Sequence, residues 1–327
     1  MLETREKYYF PGLQAMNNKS LRIVTLLLVV CFIIVIHGCS NENNADNISV
    51  TSSEKASLAH ISSLVTEGKW YVGEGDNLVC YFKIADFKRD EAERLLEDLL
   101  ALSKDICTWL GVDGYVAADG DRSKTICYFD SNYIDADGNK RSYANWEIQT
   151  MWCVDPVDFA HEYVHLITGG CERLVYVPEN VLVEGLATYV GAVWQEKIAS
   201  KEYNVLLGYN SNIILSNDTD EKNKLESMLL NAGFELTPLN RYRVIVAYGC
   251  NVLEKDEILA MKKPNSDFYN YYVGCVLIDY LASFPQGIEG VMTLYFDSMR
   301  CEKLYGKTLD DLTFDALASC SDMFSAE

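Results

Sequence analysis

Histidine is scarce in this chain: four in 327 residues, at positions 37, 60, 161 and 165. Basic residues are also short, 28 Lys and Arg against 48 Asp and Glu, which gives a formal net charge of -20 and a pI near 4.6. That deficit excludes a phosphate-tracking surface, because nucleic-acid binding needs clustered Lys and Arg to release counterions. Nucleic acid is therefore not an expected partner. Although there are eleven cysteines, no C-x-x-C spacing occurs, so neither a cysteine-built zinc site nor a thioredoxin-type motif has support. No internal repeat is evident. No apolar run reaches the length of a comfortable membrane span: Ile23 to Ile36, 14 residues, suits a signal-peptide core instead.

Lys19 and Arg22 precede that run, and His37-Gly38-Cys39-Ser40 follow it. The ending resembles a bacterial lipobox, which implies lipidation of Cys39 and its exposure as a new amino terminus. The expected layout is a signal peptide over 1–38, with Met16 as an alternative start, and a polar tether over 39–57. A coil of the tether's length reaches about 20 to 25 Å. The body, 58–327, is thus expected outside the cytoplasmic membrane of a bacterium and anchored to it by lipid. An uncleaved signal anchor is the second reading. Setting aside Cys31 and Cys39, nine cysteines remain. Their number fits an oxidising compartment, and being odd leaves at least one unpaired. Cys153 and Cys171 are not expected to pair, since they flank a helix about 20 Å long.

The fold class is α+β. Residues 69–84 read as a hairpin around Gly73-Glu74-Gly75-Asp76-Asn77, and 89–112 carry Leu95, Leu96, Leu99, Leu100, Leu102 and Ile106 at helical spacing. Residues 124–131 and 145–154 read as strands separated by the turn at 135–140. Beyond Asp155 nearly every segment reads as helix, the longest near 178–200, 222–232 and 266–283. One catalytic unit results, with a mixed front part (58–170) and a helical back part (171–327).

Residues 161–165 read His-Glu-Tyr-Val-His. Asp155 and Pro156 can start a helix there and Gly169-Gly170 can end it. On such a helix His161 and His165 lie one turn apart on one face, so both imidazoles can reach a single ion. Glu162, about 100° around the axis, can touch a metal-bound water without ligating the metal. A catalytic zinc needs a third protein ligand and an open position. Thr168 and Cys171 stand where a Gly and a third His would complete the longer histidine motif, so that class is excluded; another class takes a glutamate from a second helix about twenty residues on. Glu184 follows His165 after eighteen residues; Glu172 and Glu179 compete with it.

Together, His161, Glu162 and His165 with Glu184, Gly185, Ala187 and Tyr189 resemble the gluzincin metallopeptidases, the peptidase-MA-like group with H-E-x-x-H and an E-G-x-A-x-Y helix. The resemblance implies a zincin-like fold with an active-site cleft between the front and back parts. It implies one Zn2+ per chain held by His161, His165 and Glu184, and Glu162 as the general base. The substrate would be a protein or peptide. Small residues after the third ligand, Gly185 and Ala187, would let the two ligand helices approach. With no histidine left for the oxyanion, the local match of 270–281 to the family's Y-x-x-G helix makes Tyr271 the first candidate donor and Tyr272 the second. Thr188 stands where many members have an Asp that orients a zinc histidine, and no G-x-M-E-N stretch precedes His161, which favours an endopeptidase. In zincins an edge strand lines the cleft, and 142–152 is the candidate here. The resemblance spans most of 66–320. A non-catalytic surface binding or sensing lipoprotein with the same fold is the alternative.

Overall fold

The computed structural model describes residues 64–75, 77–112, 124–136, 138–169, 178–199, 219–253, 255–262 and 266–325, all within a compact unit that spans His60–Glu327. The leader, the tether, Cys39, Cys171 and Glu172 lie outside the described residues.

A six-stranded mixed sheet forms the front part, in the order β1-β2-β3-β4-β6-β5. β1 (Val65–Glu67), β2 (Trp70–Glu74) and β3 (Leu78–Lys83) are successive antiparallel neighbours. The expected first hairpin is therefore present. Helix α1 (Arg89–Leu110) separates β3 from β4 (Thr125–Phe129), its parallel neighbour. Its apolar spacing does what periodicity demands, burying Leu95, Leu96, Leu99, Leu102 and Ile106, and Gly111 at φ 62° terminates it. Beneath the sheet lie Leu78, Cys80, Phe82, Cys127, Phe129, Met151 and Cys153, all fully buried.

The second predicted strand is shorter than its apolar content suggests. β5 (Tyr143–Asn145) and β6 (Thr150–Cys153) are two antiparallel strands, so the expected single strand over 142–152 is a hairpin. The Asn145 side chain accepts from the Glu147 amide, 3.1 Å, and Gln149 adopts φ 50°. Together they turn the chain. The turn leaves β5, not the whole segment, as the edge strand.

The opposite sheet face carries half-exposed aromatics in a row. Tyr81 stacks on Tyr128 (4.7 Å between centroids), Tyr128 on Trp152 (5.9 Å), and Trp152 on both Tyr133 and Tyr143 (5.4 and 6.2 Å). Trp70 closes the other end, edge-on to Tyr128 at 5.5 Å.

After β6 the described chain is helical: α2 (Phe159–Gly169), α3 (Asn180–Ala199), α4 (Thr219–Asn231), α5 (Pro238–Val252), α6 (Lys255–Ala260), a π-helix (Phe268–Val273), α7 (Gly274–Ala282), α8 (Gly287–Phe296), α9 (Cys301–Tyr305) and α10 (Leu309–Met323). The sequence reading did not single out α5, one of the longer helices. Thr237 caps it and Pro238 opens it. The eight described cysteines are thiols rather than disulfides, and seven are buried. Their number, read as suiting disulfides, serves core packing among the described residues: Cys127 and Cys153 are in sulfur contact at 3.9 Å without a bond.

Candidate metal centre

Asp155 caps the entry to α2, its carboxylate accepting from the Val157 amide at 3.0 Å, and Pro156 occupies the first turn. The next turn projects His161 and His165 to one side. Their Nε2 atoms are 3.1 Å apart. From α3, Glu184 brings Oε2 to 3.6 Å from His161 Nε2 and 3.3 Å from His165 Nε2. A tetrahedral ion with bonds of about 2.0–2.1 Å sets its ligand atoms about 3.3 Å apart, and the three separations straddle that value. Glu184 Oε2 is buried and has no hydrogen-bond partner, an orphan that a cation would satisfy. These three side chains can hold a metal ion.

Of the competing carboxylates, Glu179 is engaged elsewhere, 2.8 Å from Lys262. Burial alone would raise the Glu184 carboxyl, but the two imidazoles beside it hold it far below the usual carboxylate range. Burial likewise disfavours charge on His165, and Glu184 outweighs it, leaving that imidazole above its ordinary value. Glu162 is itself buried, 7% exposed, and burial pushes its carboxyl up against the pull of His161 and His165. It lines the same cleft without joining the ligand triangle.

The cleft has a volume of about 480 Å³. Its walls come from the β5 segment (Arg141 to Ala144, then Trp146), from α2, from the start of α3, and from Tyr271 and Tyr295. It thus lies between the sheet-bearing part and the helical part, with edge strand β5 along one side. Ser142 ties that strand to the base of α2: its hydroxyl donates to Asp158, 2.6 Å, and accepts from the Val154 amide, 2.9 Å.

The π-helix separates the two candidate tyrosines. Tyr271 faces the cleft, its ring parallel to the His161 imidazole (8°, 5.8 Å between centroids). Tyr272 turns away, against Tyr242 and Phe268, with its hydroxyl 3.4 Å from Arg241. Tyr295 was missed by the sequence reading. It lies 127 residues from Thr168, whose Oγ1 is 3.0 Å from its hydroxyl, and nothing local marks one tyrosine among 21.

Small residues act differently than expected. Gly185 abuts Gly274, where an added Cβ would come within 2.6 Å of backbone, whereas Gly191 is the glycine that faces His161, where an added Cβ would lie 3.5 Å from the His161 Cβ. The approach of the two ligand helices therefore passes through Gly191. Thr188 does not replace the missing aspartate: it is buried and its hydroxyl has no partner.

Comparison with protein-family models, curated proteins and solved structures returns no match. The chain's chemistry is therefore read from its own residues: a half-buried His-His-Glu triangle, able to hold a metal ion, at the wall of an open cleft.

Proposed function

We propose that this chain is a zinc-dependent metallopeptidase, anchored by lipid at Cys39 outside a bacterial cytoplasmic membrane, that hydrolyses peptide bonds within proteins or peptides. The observation that carries the reading is the ligand triangle with a second, non-ligating carboxylate beside it in one cleft. A site built only for structure has no use for Glu162 next to an open position.

Zinc bound by His161, His165 and Glu184 would acidify water toward neutrality and polarise a carbonyl oxygen. Glu162 accepts a proton from the water as its oxygen attacks the carbonyl carbon, and its burial keeps its proton affinity high enough for the task. When the carbon-nitrogen bond breaks, Glu162 returns that proton to the leaving amine. Tyr271, on the wall beside His161, donates a hydrogen bond to the oxyanion. β5, with its outer edge along the cleft, offers backbone groups to an extended peptide.

Glu162→Gln tests the assignment, with metal analysis beside peptide hydrolysis. Zinc should be retained at one per chain while hydrolysis falls by about 10²–10⁴-fold or more. Wild-type protein that carries zinc and cleaves nothing in a broad peptide library would sink the enzyme and leave the binding module.

A further inference from the structure

A ligating carboxylate needs more than its metal: a hydrogen bond to its second oxygen fixes its orientation and tunes its basicity. Around Glu184 the obvious source, a side chain one turn further along α3, supplies nothing, since the Thr188 hydroxyl is buried and unpartnered. Across the helix pair, Tyr271 lines the same cleft as Glu184, with its ring parallel to His161, and burial and then the nearby Glu184 carboxylate push its hydroxyl above the ordinary value. Two of the three ligands thus lie beside one tyrosine.

The fold is built to hold that tyrosine in place. Gly185, adjacent to Glu184, and Gly274, three residues after Tyr271, meet backbone to backbone. An added Cβ on Gly185 would lie 2.6 Å from the Gly274 carbonyl carbon, and one on Gly274 would lie 2.5 Å from the Val181 carbonyl oxygen. No side chain separates the two segments. The π-helical turn over Phe268–Val273 adds a residue relative to α-helical winding. It buries Tyr269, Asn270 and Val273, points Tyr271 at the ligands and sends Tyr272 to Tyr242 and Phe268.

We infer that Tyr271 is a positioning residue for the metal ligands: its hydroxyl holds the Glu184 carboxylate, its ring backs His161, and metal affinity depends on both. This rests on the zinc-site reading and adds to the role of Tyr271 as oxyanion donor. The two roles share one proton. The hydroxyl donates to Glu184 in the resting site and must turn to the reacting oxygen during hydrolysis.

The test is Zn2+ affinity of the full chain by competition with a chelating dye, together with the visible spectrum of the Co2+-loaded protein. Tyr271→Phe should bind zinc about 10- to 100-fold more weakly and shift the cobalt bands. Tyr271→Leu, which also loses the ring against His161, should bind more weakly still, and Tyr271→His, with a ring donor, should recover part of the loss. Tyr272→Phe should match wild type. Thermal melts of the metal-free variants establish folding, and the His and Leu variants carry the comparison if the Phe variant melts early. A Tyr271→Phe protein with wild-type affinity and spectrum, but reduced hydrolysis, would overturn the inference and leave Tyr271 as oxyanion donor alone. Wild type that binds no zinc in the same titration would remove the zinc-site reading itself, and this inference with it.

Discussion

Glu162, buried, and Glu184, half-buried, are carboxylates beside the same two imidazoles, yet they are suited to opposite tasks. Glu184 has its charge compensated at close range by His161 and His165 and stays ionised. Glu162 is dominated by desolvation and holds a proton more readily. One is fitted to hold a cation and the other to move a proton. It follows that His161→Ala should abolish stoichiometric zinc and Glu184→Ala should at least weaken it severely, as measured by metal content after dialysis. Glu179→Ala should leave zinc unchanged, because its carboxylate is committed to Lys262. Normal zinc in Glu184→Ala would mean that a different third ligand operates. At this scale the sequence was most informative where spacing dictates geometry: two histidines four apart in a helix must share a face. It was least informative for the tyrosines. Tyr271 and Tyr272 differ by one position, and only the π register decides which one reaches the cleft.

Helix α3 is the element on which the site depends, since it meets α2 through Gly191, and the junction of the π-helix with α7 through Gly185. The E-G pair was legible as a need for small residues, but its partner was not. Which helix a glycine serves is a tertiary fact, and Gly274 lies 89 positions further along. Gly274→Ala would place a methyl group against the Val181 carbonyl and the Gly185 Cα, both backbone atoms that cannot swing aside. The expected cost is about 1–3 kcal/mol in chemical denaturation. Weaker zinc binding should accompany it, because the displaced segment carries Tyr271. Gly306→Ala, at a turn with φ 72° and open space around it, separates the two effects: it should cost stability and leave zinc affinity alone. The hairpin β5–β6 shows a different limit of sequence reading. Its alternation looked continuous across Trp146–Gln149, and the break depends on the Asn145 side chain and a left-handed Gln149.

For the whole molecule, a metal bound at the triangle would join parts that otherwise meet through packing. The ligand triangle links α2, the helix against the sheet, to α3 at the centre of the helical part. Zinc that binds only the folded state stabilises it by about 2.7 kcal/mol at a hundredfold excess over Kd. Chelation should therefore lower the melting temperature of wild type, read by calorimetry, and Glu184→Ala should melt at the chelated temperature with or without zinc. An equal zinc shift in both proteins would place the ion elsewhere. The α+β class and the division into mixed front and helical back were legible because periodicity changes at Asp155. The use of the cysteines was not, since composition counts thiols without regard to where strands β3, β4 and β6 place them.

The aromatic row across the open sheet face has an optical consequence. Trp70 and Trp152 sit within it, 5.5 and 5.9 Å from Tyr128, which in turn stacks on Tyr81 at 4.7 Å. A separate pair, Trp109 and Trp194, bridges α1 and α3, 6.4 Å apart. Each chromophore group therefore reports a different layer. Near-ultraviolet dichroism from the row follows the sheet, and emission from the bridging pair follows the junction between the sheet's helix and the helical part. Whether the two fade together on heating reveals if the protein melts as one cooperative body or loses the junction between α1 and α3 first.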